Sequence, residues 1–128
     1  LTSDLFRLIR KAEKAEREVQ FSLFLPYAEF TEDEQLKAAL GDRLLHVQGS
    51  IDLLLTMPDG SLVLADYKTD RVPEAIRDDP ERLCAFFTER HAHQLSVYRR
   101  AVRHLYGALP KKTIIYSIPL GRSVEIRF

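Results

Sequence analysis

The stretch from Gly49 to Asp70, GSIDLLLTMPDGSLVLADYKTD, leaves the chain little local choice. Two apolar runs flank the loop MPDGS, so both read as strands of a hairpin. Pro58-Asp59-Gly60 suits a type I turn followed by a left-handed glycine, the three-residue loop with a G1 bulge. In that register Met57 faces Ser61. Counting back, Asp52 faces Asp66, and paired residues share one side of a sheet. Lys68, two residues beyond Asp66, lies on that side too. A two-residue Asp-Gly loop would shift the register by one and send the two acids to opposite faces.

Such an arrangement needs a chemical reason, because unpaired buried charge is costly. Two carboxylates about 4 Å apart, at an effective dielectric near 20, repel by roughly 4 kcal/mol. Either one protonates or a cation sits between them. A hard divalent ion such as Mg²⁺ takes oxygen ligands and completes its octahedron with water. A charged Lys68 is no ligand. It can orient or deprotonate a metal-bound water, or stabilise negative charge on a phosphate. The competing reading makes Lys68 the partner of one acid in a structural ion pair, which is all that an isolated D-x-K supports. The acid at the matching place on the preceding strand tips the balance.

The rest of the chain supplies a setting. In LTSDLFRLIRKAEKAERE, Thr2 or Ser3 is an N-cap, and Leu5, Leu8, Ile9, Ala12 and Ala15 recur at helical spacing. The spacing predicts a helix over Asp4–Arg17. Val19, Phe21, Leu23 and Leu25 then alternate as a strand closed by Pro26. Thr31 and Glu34 form a capping-box pattern ahead of a short helix, with Gly41 as its C′ residue. A long helix follows the central hairpin, with Pro80 in its first turn and Gly107 at its end. KKTIIYSIPLGRSVEIRF reads as a strand, a turn near Leu120–Gly121–Arg122 and a final strand. The order α–β–α–β–β–α–β–β predicts a mixed α/β sheet flanked by helices. A length of 128 residues fits one domain, residues 1–128.

Nineteen Lys plus Arg balance nineteen Asp plus Glu, so nucleic-acid binding has to come from a local basic patch. The single cysteine, Cys84, excludes an internal disulfide and a Cys-ligated iron–sulfur cluster, and makes a reducing compartment the simplest expectation. No apolar run approaches the roughly 20 residues that span a bilayer, and no signal peptide opens the chain. The chain begins at Leu1 rather than Met, and an excised C-terminal piece of a longer protein is expected.

Asp52 within GSID, then DYKTD after the hairpin, then QLSVY, resemble the PD-(D/E)XK nuclease superfamily. More narrowly, they resemble the C-terminal nuclease domain of RecB- and AddA-type helicase–nuclease subunits. The pattern G-x-x-D, D-Y-K-T, Q-x-x-x-Y is present in order, and REVQF at Arg17–Phe21 looks like a frequent family segment. The resemblance runs from about Glu18 to Tyr106. It implies a restriction-endonuclease-like fold and Mg²⁺-dependent hydrolysis of DNA phosphodiesters, with Mn²⁺ able to substitute. Asp52, Asp66 and the backbone carbonyl of Tyr67 would hold the metal, and Lys68 would act on the attacking water or the scissile phosphate. Gln94 and Tyr98, at i and i+4 on the long helix, would face the site and DNA. Thr69 would extend the motif through a local hydrogen bond. The implied partners are DNA, helicase motor domains of the same parent chain and a second subunit, in the bacterial cytoplasm, in recombinational repair. The alternative is a DNA-binding or subunit-docking domain of the same fold with weak catalysis.

This sequence departs from the pattern in places. The family's aromatic three residues before the Gln is His91 here. The family's metal-binding His lies on a helix ahead of REVQF, and the helix expected there carries none. No Walker A pattern occurs, and the lone Cys argues against the iron–sulfur relatives. Glu18 fits either an exposed acid or the edge of the site, with exposure favoured. His46 shares the strand face of Asp52 by alternation, though a lone His at a strand start is more often an ordinary surface residue. The HAH of His91 and His93 invites a metal reading, but side chains at i and i+2 on a helix diverge.

Overall fold

The computed structural model describes residues 4–128, so the expected N-cap at Thr2 or Ser3 lies outside the described residues. The chain divides into two compact units, Leu1–Val19 with Ile51–Phe128, and Gln20–Ser50.

The first unit carries the central hairpin. Its helix α1 spans Asp4–Lys11, and strand β1, Lys14–Pro26, begins here. Strand β2 covers Leu44–Thr56 and β3 covers Leu62–Lys68. Helix α3, Pro80–Tyr106, is followed by β4, Lys112–Ser117, and β5, Arg122–Ile126. The five-stranded sheet has the order β1-β2-β3-β4-β5. β3 runs antiparallel to β2 and parallel to β4, and β5 closes the sheet antiparallel to β4. The parallel pair requires a crossover, and α3 supplies it.

Alternation sorts the strand residues onto two faces. Leu53, Leu55, Val63, Ala65 and Ile114 are buried with Leu5 of α1, and Leu8, Ile9 and Tyr116 pack around them. Burying Leu5 alone contributes about 2 kcal/mol. Leu54, Leu64 and Ile115, on the other face, are fully buried as well. Both faces are therefore covered, which is why β3 reads as a continuous apolar run rather than an alternating one.

Helix α3 ends where its sequence says. Asp79 is its N-cap, accepting from the Arg82 N–H at 3.2 Å, and Pro80 opens the first turn. Gly107 closes it at φ 85°, a left-handed conformation in which a Cβ would be strained.

Helix α1 is shorter than its periodicity predicts. The Ala12 N–H reaches back to Leu8 O at 2.9 Å and Ile9 O at 3.3 Å, and the Glu13 N–H already donates to Thr56 O at 2.8 Å. Pairing with the end of β2 takes the backbone from Lys14 onward, so Ala15 lies on a strand. Local helix propensity in KAEKAERE yields to that pairing.

In the second unit the outer part of β1 alternates as expected, with Phe21 and Leu25 buried. Helix α2 spans Glu34–Leu40. Its cap corrects the expected capping box. Asp33 is the N-cap, its Oδ1 accepting from Gln35 N at 2.8 Å and Leu36 N at 3.2 Å, while Thr31 Oγ1 accepts from Asp33 N. A carboxylate stands closer to the orphan N–H groups than the Thr31 hydroxyl and wins them. Gly41 follows at φ −56°, right-handed rather than left-handed.

Candidate active site

The turn fixes everything that follows. Gly60 N donates to Met57 O and Met57 N to Ser61 O, both at 2.8 Å, with Gly60 at φ 86°. The Asp59 carboxylate accepts from the Ser61 N–H and hydroxyl, at 2.9 and 2.6 Å, and so braces the loop. The ladder runs from Thr56↔Leu62 to Leu53↔Ala65. One step further along it stand Asp52 and Asp66. There the Asp52 side chain takes up a backbone donor, its Oδ2 accepting from Tyr67 N–H at 2.8 Å.

Asp66 is only 4% exposed, and its carboxyl is pushed up to about 6. Burial is the main cause, and the hydrogen bond with Asp52 adds to it. Lys68 pulls the other way and offsets only part of the rise. Lys68 Nζ lies 2.7 Å from Asp66 Oδ2, and donates to Gln94 Oε1, also at 2.7 Å. Gln94 Nε2 donates in turn to Tyr98 OH at 3.2 Å. Tyr98 is buried on α3, and burial followed by the Asp66 charge raises its phenol above the ordinary range. The hairpin end and one turn of α3 thus bring together Asp52, Asp66, Lys68, Gln94 and Tyr98.

Other candidate residues lie outside this hydrogen-bonded group. Thr69 is exposed just past β3. Glu18 is exposed on β1 at φ 51°, an unusual value for a residue with a Cβ. The Tyr67 ring points to the other face of the sheet, edge-on to Tyr116 with centroids 6.1 Å apart. In the second unit, His46 stacks on Phe24 and shares a 2.6 Å hydrogen bond with Ser22. Asp70 and Arg90 are given no role by the sequence reading. Asp70 Oδ2 accepts from Arg90 Nε at 2.9 Å, and Asp70 Oδ1 lies 2.9 Å from His91 Nε2. Partial burial works to raise the Asp70 carboxyl, and the His91 and Arg90 hydrogen bonds more than reverse that, holding it below its ordinary value. The only signal for it is that DYKTD ends in an acid.

The donor set suits a hard cation. Asp66 Oδ2 is buried beside Lys68 yet accepts no aligned hydrogen bond. A buried Asp66 whose carboxyl is pushed up, with Asp52 beside it, marks a place where positive charge is favoured. Among the described residues no group of three or more His, Cys, Asp or Glu side chains could hold a metal. An ion here would rest on two carboxylates, with backbone oxygen and water completing its shell, which suits Mg²⁺ better than Zn²⁺.

Residues 1–124 match the family model of the PD-(D/E)XK nuclease superfamily. The chain belongs to that superfamily. The mixed sheet flanked by helices is its restriction-endonuclease-like fold. Curated relatives are similar along nearly the whole chain. The A subunit of the ATP-dependent helicase/nuclease of Heliobacterium modesticaldum is 36% identical over 126 residues, 98% of this chain and 8% of that protein. Those of Desulforamulus reducens and Geobacillus kaustophilus are 36% and 35% identical, over 97% and 98% of the chain. The chain spans a tenth or less of the length of these relatives. No helix among the described residues is long and apolar enough to cross a membrane.

Proposed function

We propose that this PD-(D/E)XK chain is a single Mg²⁺-dependent deoxyribonuclease domain of a larger ATP-dependent helicase–nuclease. It would cleave DNA phosphodiesters in recombinational repair in the bacterial cytoplasm, beside motor domains of the parent chain and a second subunit. The observation that carries this reading is the convergence of Asp52, Asp66 and Lys68 at one end of the hairpin, with Gln94 holding the lysine.

Asp52, Asp66 and the Tyr67 carbonyl would hold Mg²⁺, or Mn²⁺ in its place. A divalent cation so held supplies charge neutralisation at the phosphate and lowers the pKa of water. The chain's own residues do the rest. The Lys68 ammonium stands ready, before any substrate arrives, where negative charge builds on the phosphate. Preorganised charge of this kind is worth more in a partly buried site than in water. Gln94 spans Lys68 and Tyr98 and keeps the ammonium from swinging into solvent.

Lys68→Ala tests the reading. Cleavage of single-stranded DNA in Mg²⁺ falls by about 10²–10³, while DNA binding persists. A parent chain that binds DNA and cleaves none with either Mg²⁺ or Mn²⁺ sinks the reading. It leaves instead a DNA-binding or docking domain of the same fold.

A further inference from the structure

Lys68 is the last residue of β3, where the chain leaves the sheet. Its flexible stem loses rotamer freedom when the ammonium is held in one place. Two groups hold it, Asp66 Oδ2 and Gln94 Oε1. Gln94 is exposed on α3. An amide on a helix and an ammonium at a strand end stay in reach of each other only if strand end and helix are fastened nearby.

The fastening lies two residues past Lys68. Both carboxylate oxygens of Asp70 engage α3, one on Arg90 and one on His91. His91 lies three residues before Gln94, on the same helix face. Asp70 and His91 side chains are 13% and 18% exposed, whereas Arg90 is 55% exposed. An open ion pair contributes little, so the shielded His91 contact is the stronger tie. The Phe87 ring stacks on the imidazole at 6.3 Å and 25°, which fixes its plane.

We propose that Asp70 and His91 are positioning residues: their pair seats the end of β3 against α3 so that Gln94 holds the Lys68 ammonium at Asp66. This rests on the reading of that cluster as a nuclease site. Neither residue touches the reacting atoms. Both act through Lys68.

Two variants separate positioning from packing. His91→Phe keeps a ring on Phe87 and removes the donor, and His91→Gln restores an N–H donor. The first readout needs no catalysis. Lysines are acylated with a dilute N-hydroxysuccinimide ester and quantified one by one by mass spectrometry, with Lys111, 66% exposed, as the internal reference. Lys68 labelling rises severalfold in His91→Phe and returns to the parental rate in His91→Gln. The second readout is single-turnover cleavage at saturating DNA and Mn²⁺. It falls about tenfold in His91→Phe with unchanged DNA affinity, and His91→Gln recovers it. Should His91→Phe fail to fold, Asp70→Asn carries the same two readouts. Unchanged Lys68 labelling in a folded variant that lacks the donor overturns the proposal, as does a His91→Gln variant no better than His91→Phe. If the parent cleaves nothing, the nuclease reading falls, and the labelling still decides whether the pair positions Lys68.

Discussion

Asp66 is a buried acid, and at the proposed site a proton and a metal would compete for its carboxylate. Its carboxyl sits at about 6 rather than 3.8, so between those pH values the folded protein holds a proton that the unfolded chain releases. The stability gained from that proton is fully present below about pH 4 and is lost as pH rises through about 6. A rise from about 4 to about 6 corresponds to about 3 kcal/mol at most, and solvent at the mouth of the site reduces it. Asp70 has the opposite sign: its lowered carboxyl stabilises the fold above its ordinary value and loses that contribution as pH falls. A comparison of two proteins separates the two. Without metal, Asp66→Asn and the parent melt at similar temperatures near pH 4, and the variant becomes the more stable by pH 8. Melting curves in EDTA across that range measure the difference. A gap that stays constant with pH would mean that another group titrates. The result also distinguishes a metal-site acid from a structural ion pair, because an acid kept for its pairing with Lys68 would leave the variant less stable at pH 8.

The hairpin β2–β3 does at the level of an element what no single residue can: it decides which side chains meet. Gly60 is its pivot. A Cβ at Gly60 meets nothing within 4 Å, so the cost of Gly60→Ala is the left-handed backbone alone, about 1 kcal/mol. Urea denaturation should show that loss, with Mn²⁺ affinity unchanged because the register survives. A variant that loses affinity as well would show that the loop had slipped. The same chemistry explains what could be read in advance. Pro58, Asp59 and Gly60 write the turn locally, and a period of two carries its register to Asp52, Asp66 and Lys68. Asp79, Pro80 and Gly107 mark the ends of α3 in the same local way. The end of α1 could not be read, because Glu13 is claimed by Thr56, far away in sequence. At α2, Thr31 and Asp33 both offer a cap, and only geometry chooses Asp33. The reach of Gln94 to Lys68 was legible only through the family pattern. The Asp70–His91 contact joins positions 21 apart across an irregular segment, where no periodicity applies.

At the scale of the whole molecule, the site should report its ion through stability. Metal that binds only the folded chain adds about 2.7 kcal/mol at a hundred times its dissociation constant. Melting temperature should therefore climb with Mn²⁺ concentration, more at pH 8 than at pH 5, where a proton holds Asp66. EDTA should reverse the climb, and Asp52→Asn should abolish it. A shift equal at both pH values, or one that persists in Asp52→Asn, would place the ion elsewhere. The parallel pairing of β3 with β4 has one more consequence, and it concerns time. The hairpin closes over a three-residue loop, whereas Lys68 meets Ser117 only after all of α3 has been laid across the sheet. Contacts between neighbours in sequence form sooner than contacts between distant ones. A refolding chain therefore brings its two acids together early and waits for the helix that steadies the lysine. In that interval the hairpin carries the repulsion of Asp52 and Asp66 unless a proton or an ion relieves it. Stopped-flow refolding without metal should run faster at pH 5 than at pH 8, and Asp66→Asn should remove the difference. A bound ion would then act twice in the life of the chain, in assembling the fold and in the chemistry that follows.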